Sequence, residues 1–225
     1  MILKDMYKIV LFSLLTSFLI SSCVVVQEAQ NVVEMSQMHN RIAVVPIQAL
    51  VERKIWMSTE KYNELNLRKS EETQQRIFNF MQFYTRNGSI HAEIMNPDEV
   101  NSILHGAGYP NTRLTNNQLC ELLQVDAIIF GQIEVLEPVN EVTAIAITNT
   151  YSNATVITNI VQLNLNLYDA NSGTQIWNTQ QINRGQMGSI KENMQRQVCR
   201  RAVRNLPYNI KKRRYKKAYY ALNGF

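Results

Sequence analysis

The sequence predicts an α/β fold, a mixed β-sheet with helices packed on it and a long β-hairpin in the C-terminal half. Residues 160–182 alternate apolar and polar side chains from Val161 onward, which is the pattern of a strand with one buried face. Residues 169–173, DANSG, supply turn chemistry before a second strand returns with Trp177. Because such a hairpin is stable only when its apolar face is covered, we expect amphipathic helices elsewhere to cover it.

The first half of the chain alternates predicted strands and helices. The apolar run 41–47, RIAVVPI, is typical of a strand covered on both faces. Residues 49–67 are predicted to be irregular or partly helical. A helix is predicted over 70–87 with Ser70 as its N-cap, because an apolar stripe recurs there at helical spacing. A short strand is predicted over 90–95.

Capping signals organise the middle of the chain. Asn96 followed by Pro97 opens one helix, and Thr115 begins a capping box that opens the next. That helix leads into 126–133, a largely apolar strand that we expect at the centre of the sheet. Gly131 lies within this strand and predicts a close backbone approach or a bulge.

Residues 138–159 leave two interpretations open. The segments 142–147 and 154–157 look extended, with a turn at residues 152–153. They could form a strand that protrudes from the sheet, or the start of a longer hairpin joined to the strand at 160.

The last helix is predicted to begin at a second capping box that starts with Ser189. Two rows of side chains then recur every four residues on opposite faces. We expect the apolar row to pack on the sheet and the arginine row to face solvent. The rows are Ile190, Met194, Val198 and Ala202, and Arg196, Arg200 and Arg204.

The N-terminus has the pattern of a targeting segment. Lys4 and Lys8 precede residues 9–20, an apolar run that is too short for a membrane-spanning helix of about 20 residues. The run ends in LISSC, which resembles the bacterial lipobox. The resemblance implies cleavage before Cys23, diacylglyceryl attachment to its sulfur and acylation of its amino group. The alternative is an ordinary secretory signal in which a cysteine occurs at that position.

These patterns divide the chain of 225 residues into four parts. We predict a lipoprotein signal peptide over 1–22, a lipidated tether over 23–40, an α/β domain over 41–206 and a basic tail over 207–225. The tail carries a charge of +6, which exceeds the formal net charge of +5 of the whole chain, through Lys211, Lys212, Arg213, Arg214, Lys216 and Lys217. An anionic membrane surface or polymer suits such a tail better than nucleic acid, and a merely solubilising role is equally consistent.

Few residues suggest chemistry. His91 and Glu93 share one face of a predicted strand and could form an acid–base pair, although a solvated face is the favoured interpretation. A loose group of Met35, Met38 and His39 is a weak candidate for a soft-metal site. His105 lies in the last turn of a helix, where the helix dipole favours a cation.

The cysteines and the missing motifs point away from catalysis. Apart from Cys23, the chain holds Cys120 and Cys199, which could form a disulfide or remain two buried thiols. The sequence contains no CxxC, HExxH, GxSxG, P-loop or GxGxxG pattern. By elimination we predict a protein that is not an enzyme and that uses no metal or cofactor.

Three segments together resemble a broad group of bacterial envelope lipoproteins. The segments are 41–47, 119–137 and 161–177, and their marker residues are Asp126, Gly131, Asp169, Gly173 and Trp177. The group comprises the curli assembly (CsgG-like) secretion-channel family, the TolB amino-terminal-like domain and the penicillin-binding-protein activators. The resemblance implies a TolB amino-terminal-like sandwich over most of 41–205.

The resemblance also implies an assembly or accessory role in the cell envelope. Our leading hypothesis is a lipid-anchored accessory protein, attached to a bacterial membrane, preferably the outer one, whose periplasmic body docks on another envelope protein. The alternative is a subunit of an oligomeric curli-type secretion channel, for which residues 138–159 offer one candidate spanning hairpin. A third hypothesis is a hydrolytic enzyme that uses His91 and Glu93. A homo-oligomer is compatible with the first two hypotheses.

Overall fold

Strand β5 (Ala127–Leu136) is the centre of a mixed β-sheet, as its apolar sequence predicts. The computed structural model describes residues 25–151, 154–210, 215, 216 and 220. Strand β5 pairs antiparallel with β6 on one side, and parallel with β2 and then β3 on the other. The sheet runs in the order β1-β7-β6-β5-β2-β4, and β3 adds to β5 beyond β2.

The described residues form seven strands and six helices. The strands are β1 (Val25–Glu28), β2 (Arg41–Val44), β3 (Gln48–Val51), β4 (Glu93–Ile94), β5, β6 (Ile157–Asp169) and β7 (Thr174–Gln186). The helices are α1 (Val32–Gln37), α2 (Thr59–Arg86), α3 (Pro97–Gly106), α4 (Asn116–Leu123), α5 (Glu141–Thr150) and α6 (Lys191–Arg204). The predicted α/β class, with a mixed sheet and packed helices, is confirmed.

The predicted hairpin is formed by β6 and β7, which pair antiparallel along almost their whole length. The alternation places Val161, Leu163, Leu165 and Leu167 on one face, and all four are fully buried. At the turn, Asp169 Oδ2 accepts a hydrogen bond from the Ser172 N–H at 2.6 Å. The turn chemistry and the one-sided burial are therefore as predicted.

Helices cover the two faces of the sheet unequally. Apolar side chains of α1, α2 and α6 pack on the face that carries the buried leucines of β6. Helices α3 and α4 pack on the opposite face through a second cluster that includes Ala43, Val45, Ile128 and Tyr168. This second cluster covers β2 and one end of β5 and β6. Within the described part of the chain, neither hydrophobic cluster covers the rest of that face, and helix α5 packs against β6.

Gly131 is required by the close pairing of β5 and β6. A Cβ atom built on Gly131 would lie 2.0 Å from the carbonyl oxygen of Asn164. No side chain fits at that distance, so any larger residue must push the two strands apart. The close approach predicted from a glycine within an apolar strand is confirmed.

The tether predicted over 23–40 is wrong from Val25 onward. Strand β1 pairs antiparallel with β7, Val25 opposite Gln180 and Glu28 opposite Trp177. Helix α1 follows and buries Val32 and Val33 in the main core. The segment is too short to show a sustained period, which explains why its sequence looks like a linker. The α/β domain therefore begins at β1 rather than at residue 41.

Helix α2 is much longer than predicted, because it begins at Thr59 instead of near Ser70. The true N-cap is Ser58, whose hydroxyl accepts a hydrogen bond from the Lys61 N–H at 3.3 Å. The first third of the helix is mostly solvent-exposed and polar, so it carries no apolar stripe that would reveal it. Ser70 is buried inside the helix.

Residues 141–150, predicted to be extended, form helix α5. Asn140 caps this helix by accepting a hydrogen bond from the Thr143 N–H at 2.8 Å. The β-branched residues favour a strand, but the cap and packing against β6 outweigh that preference. The candidate spanning hairpin of a secretion channel is therefore replaced by a helix, and the turn predicted at residues 152–153 lies outside the described residues.

Three further boundaries differ from the predictions. The strand predicted over 90–95 is reduced to β4, and the irregular segment 49–67 includes most of β3. The capping box at Ser189 is not formed: α6 has Ile190 at its N-cap without a side-chain hydrogen bond. The Ser189 hydroxyl instead accepts a hydrogen bond from Asn159 Nδ2 at 2.9 Å.

The domain extends past the predicted boundary at 206. Tyr208 is buried, and Tyr215 is only 1% exposed although it lies among the basic residues of the predicted tail. The Tyr215 hydroxyl donates to the Asn205 carbonyl at 3.0 Å and also lies 3.1 Å from Glu28 Oε2. Its ring therefore fastens this segment to the main core. Among the residues that the structure describes, no helix is both long and apolar enough to cross a membrane.

Candidate docking surface

Cys23 lies outside the described residues, so its lipidation stays a prediction. Cys120 and Cys199 are both buried and both free, which excludes the disulfide alternative. They belong to the two different hydrophobic clusters and therefore lie under opposite faces of the sheet. Burial raises the pKa of the Cys120 thiol to about 11 and that of the Cys199 thiol to about 12. Both are therefore inert thiols of the core.

His91 and Glu93 are both exposed, beside the short strand β4. Glu93 lies 3.9 Å from Arg41 Nε, and Arg41 is also paired with Glu99 at 3.2 Å. This is the arrangement of a solvated, charged surface, which is the interpretation that the sequence favoured. No acid–base role follows from it.

The three side chains of the weak metal candidate have different environments. Met38 is 61% exposed, whereas His39 is buried at 4% exposure. Both ring nitrogens of His39 are engaged: Nε2 lies 2.7 Å from Asp169 Oδ1, and Nδ1 lies 2.5 Å from the Tyr208 hydroxyl. Within the described part of the chain, no cluster of three or more His, Cys, Asp or Glu side chains could hold a metal ion.

The network of His39, Asp169 and Tyr208 is the main polar feature of the interior, and the sequence did not indicate it. It joins three distant parts of the chain: the segment before β2, the β6–β7 turn and the segment after α6. Burial opposes ionisation of Asp169, but hydrogen bonds from Ser172 and His39 outweigh it and lower the pKa of Asp169. Because all three side chains are buried, the network fastens the fold and cannot reach a substrate.

A cavity of about 460 Å³ lies between α2, β3 and the end of α3. Its walls include Ala49, Leu67 and Leu104, with His105 and Arg113 among its polar residues. The size suits a small molecule. Among the described residues that line it, no nucleophile is hydrogen-bonded to a base. His105, which we predicted to complement the helix dipole, is exposed at this edge of α3.

One face of β5, β6 and β7, continued by β1, is polar and belongs to neither hydrophobic cluster. We name it the amide face, because seven amide side chains share it by the alternation of the paired strands. They are Gln27, Gln132, Gln162, Asn164, Asn166, Asn178 and Gln180. Gln27 is exposed, the other six are half-buried, and none belongs to either hydrophobic cluster.

Hydrogen bonds order the amide face. Asn178 Nδ2 donates to Asn166 Oδ1 at 2.6 Å across neighbouring strands. Gln132 Nε2 donates to Glu134 Oε1 at 2.6 Å along β5. The rows of amides lie on strands whose opposite side is packed in the main core, which holds their backbones in place. An amide carries both a donor and an acceptor, so such a surface can form hydrogen bonds with many polar partners.

Comparisons with known proteins give structural likenesses and no sequence match. No protein-family model matches the chain, and no curated protein matches it. The chain is similar to the PelC dodecamer from Paraburkholderia phytofirmans, with 10% identity and a TM-score of 0.42 over 80% of this chain and 96% of that one. It is similar to the lipoprotein GNA1162 from Neisseria meningitidis, with 11% identity and a TM-score of 0.42 over 72% of this chain and 94% of that one.

A third similar structure is the LpoB C-terminal domain from Salmonella enterica. It has 12% identity and a TM-score of 0.34, over 70% of this chain and 96% of that one. The α/β assignment rests on the strands and helices described above. The particular families named from the sequence remain a prediction.

Proposed function

We propose that this protein is a lipid-anchored accessory protein of the cell envelope, which binds another envelope protein and performs no catalysis. The observation that carries the proposal is the amide face, an ordered polar surface on the central strands that neither hydrophobic cluster covers. The seven amides at this surface are neutral and provide hydrogen bonds, and the one carboxylate that shares the face with them, Glu134, accepts a hydrogen bond from Gln132 at 2.6 Å. A surface with these properties suits binding and does not suit bond-breaking chemistry.

The rigidity of the amide face favours a binding role. Asn166 and Asn178 already hold each other in place, and their backbones are fixed by ladders on both sides. A partner that binds there does not have to order these side chains, so less conformational entropy is lost on association. We infer that the partner presents donors and acceptors of its own, with few charges.

The proposed location in the cell rests on the lipobox-like LISSC sequence. In this proposal acyl chains on Cys23 hold the protein to a bacterial membrane, preferably the outer one, and the body is in the periplasm. Two or more acyl chains give stable attachment where a single chain would be marginal. A second copy of the chain is an alternative occupant of the amide face.

Site-specific photo-crosslinking in intact cells tests the docking proposal. A photoreactive residue that replaces Asn164, at the centre of the amide face, is expected to capture a second protein. The matched control places the same residue at Gln75, which is exposed on α2 and far from the amide face. Capture from both positions, or from neither, would remove the support for docking, and capture of the chain itself would identify a homo-oligomer.

Metabolic labelling tests the anchor separately. Labelled palmitate is expected to be incorporated into the wild-type chain and not into the Cys23→Ser variant. Equal incorporation into both chains would show that Cys23 is not the lipidated residue.

A further inference from the structure

We infer that one end of the sheet, where β3 and β5 finish and β6 begins, lies against the lipid surface of the membrane, with Ile55 and Trp56 inserted at the boundary between the headgroups and the acyl chains. The inference rests on the proposed lipid anchor at Cys23 and adds the orientation of the body. It names a membrane contact that is separate from both the acyl chains and the amide face.

Two adjacent large apolar side chains project from the loop between β3 and α2. Ile55 is fully exposed and Trp56 is 75% exposed, and both lie at the turn of the loop. The loop is ordered by its own contacts: the Met57 N–H donates to the Lys54 carbonyl at 2.9 Å, and the Arg53 guanidinium donates to the Met57 carbonyl and to Thr59. The two side chains are therefore held outward by the loop.

The pairing of the strands places other exposed apolar side chains at the same end. Val51 lies opposite Val135, Val135 opposite Val161, and Val161 opposite Asn183. The ends of β3, β5 and β7 and the start of β6 therefore meet on this side. Exposed apolar residues on the segments that leave this end are Leu136, Val142, Ile145, Met187 and Ile190. Such a concentration is unusual for a surface that faces only water.

The anchor is close to this end. Only Val24 separates Cys23 from Val25, the first residue of β1, so the Cα atoms of Cys23 and Val25 are at most about 7.6 Å apart. Because β1 is antiparallel to β7, its first residue is the one nearest this end of the sheet, three rows from Asn183. A bilayer that holds acyl chains on Cys23 must therefore come within a short distance of the same end.

The chemistry of the loop suits a bilayer surface. Tryptophan is enriched at membrane interfaces, because its ring is apolar and its N–H is polar. Lys61 Nζ lies 6.0 Å from the centroid of the Trp56 ring, and Arg53 and Lys54 immediately precede Ile55. Long cationic side chains beside an inserted ring can reach lipid phosphates.

The contact is expected to be mainly apolar rather than electrostatic. Glu137 pairs with both Lys54 and Lys191, which neutralises part of the positive charge at this end and fastens the loop to the sheet. We therefore expect vesicles of neutral lipid to support insertion of Trp56, with at most a moderate effect of anionic lipid.

The two tryptophans make a direct test possible. Trp56 is exposed, whereas Trp177 is 1% exposed in the core. The lipidated protein is reconstituted in phosphatidylcholine vesicles whose acyl chains are either brominated or unmodified. Bromine quenches only rings that contact the acyl region, so the Trp56 emission is expected to be blue-shifted and largely lost. In the Trp56→Phe variant the remaining emission is expected to be the same in both kinds of vesicle.

A second variant controls for orientation. Phe83 is 61% exposed on α2, about 36 Å along the helix axis from Thr59 at 1.5 Å per residue. The double variant Trp56→Phe, Phe83→Trp carries an exposed tryptophan far from the proposed contact, and its emission is expected to be unquenched. Emission from Trp177 reports in every variant whether the core is intact.

The outcomes separate this inference from the anchor. Flotation of the protein with vesicles, without quenching of Trp56 or with equal quenching at position 83, would overturn the orientation and leave the anchor in place. Failure to float would overturn both. A blue shift of Trp56 that requires an added protein, and not lipid, would overturn the lipid contact and assign this end to a protein partner.

Discussion

The two faces of strand β6 share one backbone but differ in the burial of their side chains. On one face Val161, Leu163 and Leu165 are fully buried under α2 and α6, and on the other Gln162, Asn164 and Asn166 are half-exposed. The first face supplies the free energy of folding through burial of apolar area. The second contributes little to that energy and is left available for a partner. In the proposed function, odd-numbered residues of β6 stabilise the fold and even-numbered residues are available for binding.

The difference between the two faces of β6 is expected to have its largest effect on stability when two adjacent residues of the strand are replaced. Replacing Leu165 by alanine removes a fully buried side chain and is expected to lower the free energy of unfolding by about 2–5 kcal/mol. Replacing Asn164 by alanine is expected to change it by less than about 0.5 kcal/mol. Urea unfolding followed by circular dichroism measures both. Equal losses would mean that the amide face also holds the fold together.

The next largest loss of unfolding free energy is expected in the buried network of His39, Asp169 and Tyr208. The Asp169→Asn variant loses the charged acceptor of His39, and the expected cost at neutral pH is about 1.5–3 kcal/mol. Because the folded state lowers the pKa of Asp169 below its ordinary value of 3.8, its contribution is present above pH 3.8 and is lost as the pH falls further.

The pH dependence separates this role from simple packing. Unfolding of the wild type is expected to become easier as the pH falls below about 3.8, and the Asp169→Asn variant is expected to show less of this dependence. Identical pH profiles for the two chains would mean that the carboxylate does not stabilise the folded state.

The contact between β5 and β6 can be tested with glycine substitutions. Gly131→Ala places a methyl group against the Asn164 carbonyl and is expected to cost about 1–3 kcal/mol, since the strands must separate. Gly106→Ala is the matched control, because a Cβ at that last residue of α3 meets nothing within 4 Å. Thermal unfolding of both variants measures the difference. A Gly131→Ala protein as stable as the control would contradict the close approach.

The smallest expected effect is a difference in reactivity between the thiols of Cys120 and Cys199. Each thiol becomes reactive when the hydrophobic cluster around it opens. At pH 8 both thiols are expected to resist a thiol reagent in the native protein, because burial raises their pKa values to about 11 and about 12. Cys120 lies in the smaller cluster and is expected to react before Cys199 as denaturant is added. Mass spectrometry of the labelled chain gives the order, and the reverse order would mean that α6 opens first.

The sequence predicted well the elements whose patterns are complete in themselves. The alternation of β6, the turn at Asp169 and the cap at Thr115 all depend on neighbouring residues, and all were found where expected. The predicted start of α2 at Ser70 was wrong, since an exposed polar helix carries no apolar stripe. The extended structure predicted for the residues of α5 was also wrong, since a cap and tertiary packing overrode the preference of β-branched residues.

The site was harder to predict than the fold. The amide face was visible in part, since the polar residues of β6 alternate along one strand. The face is extended by β5, β7 and β1. This extension depends on strand order and register, which cannot be predicted from a single sequence. The partners of His39 are 130 and 169 residues away in the chain, so no local pattern could have identified them.

Strand β1 has a mechanical consequence once Cys23 carries lipid. With a single residue between Cys23 and β1, the body stays close to the bilayer that holds the acyl chains. If the inferred contact at Ile55 and Trp56 also forms, the strands are upright and the amide face is directed along the membrane. A partner in the same leaflet meets that surface by lateral diffusion alone, whereas one fixed in the opposing membrane must extend across the gap to touch it.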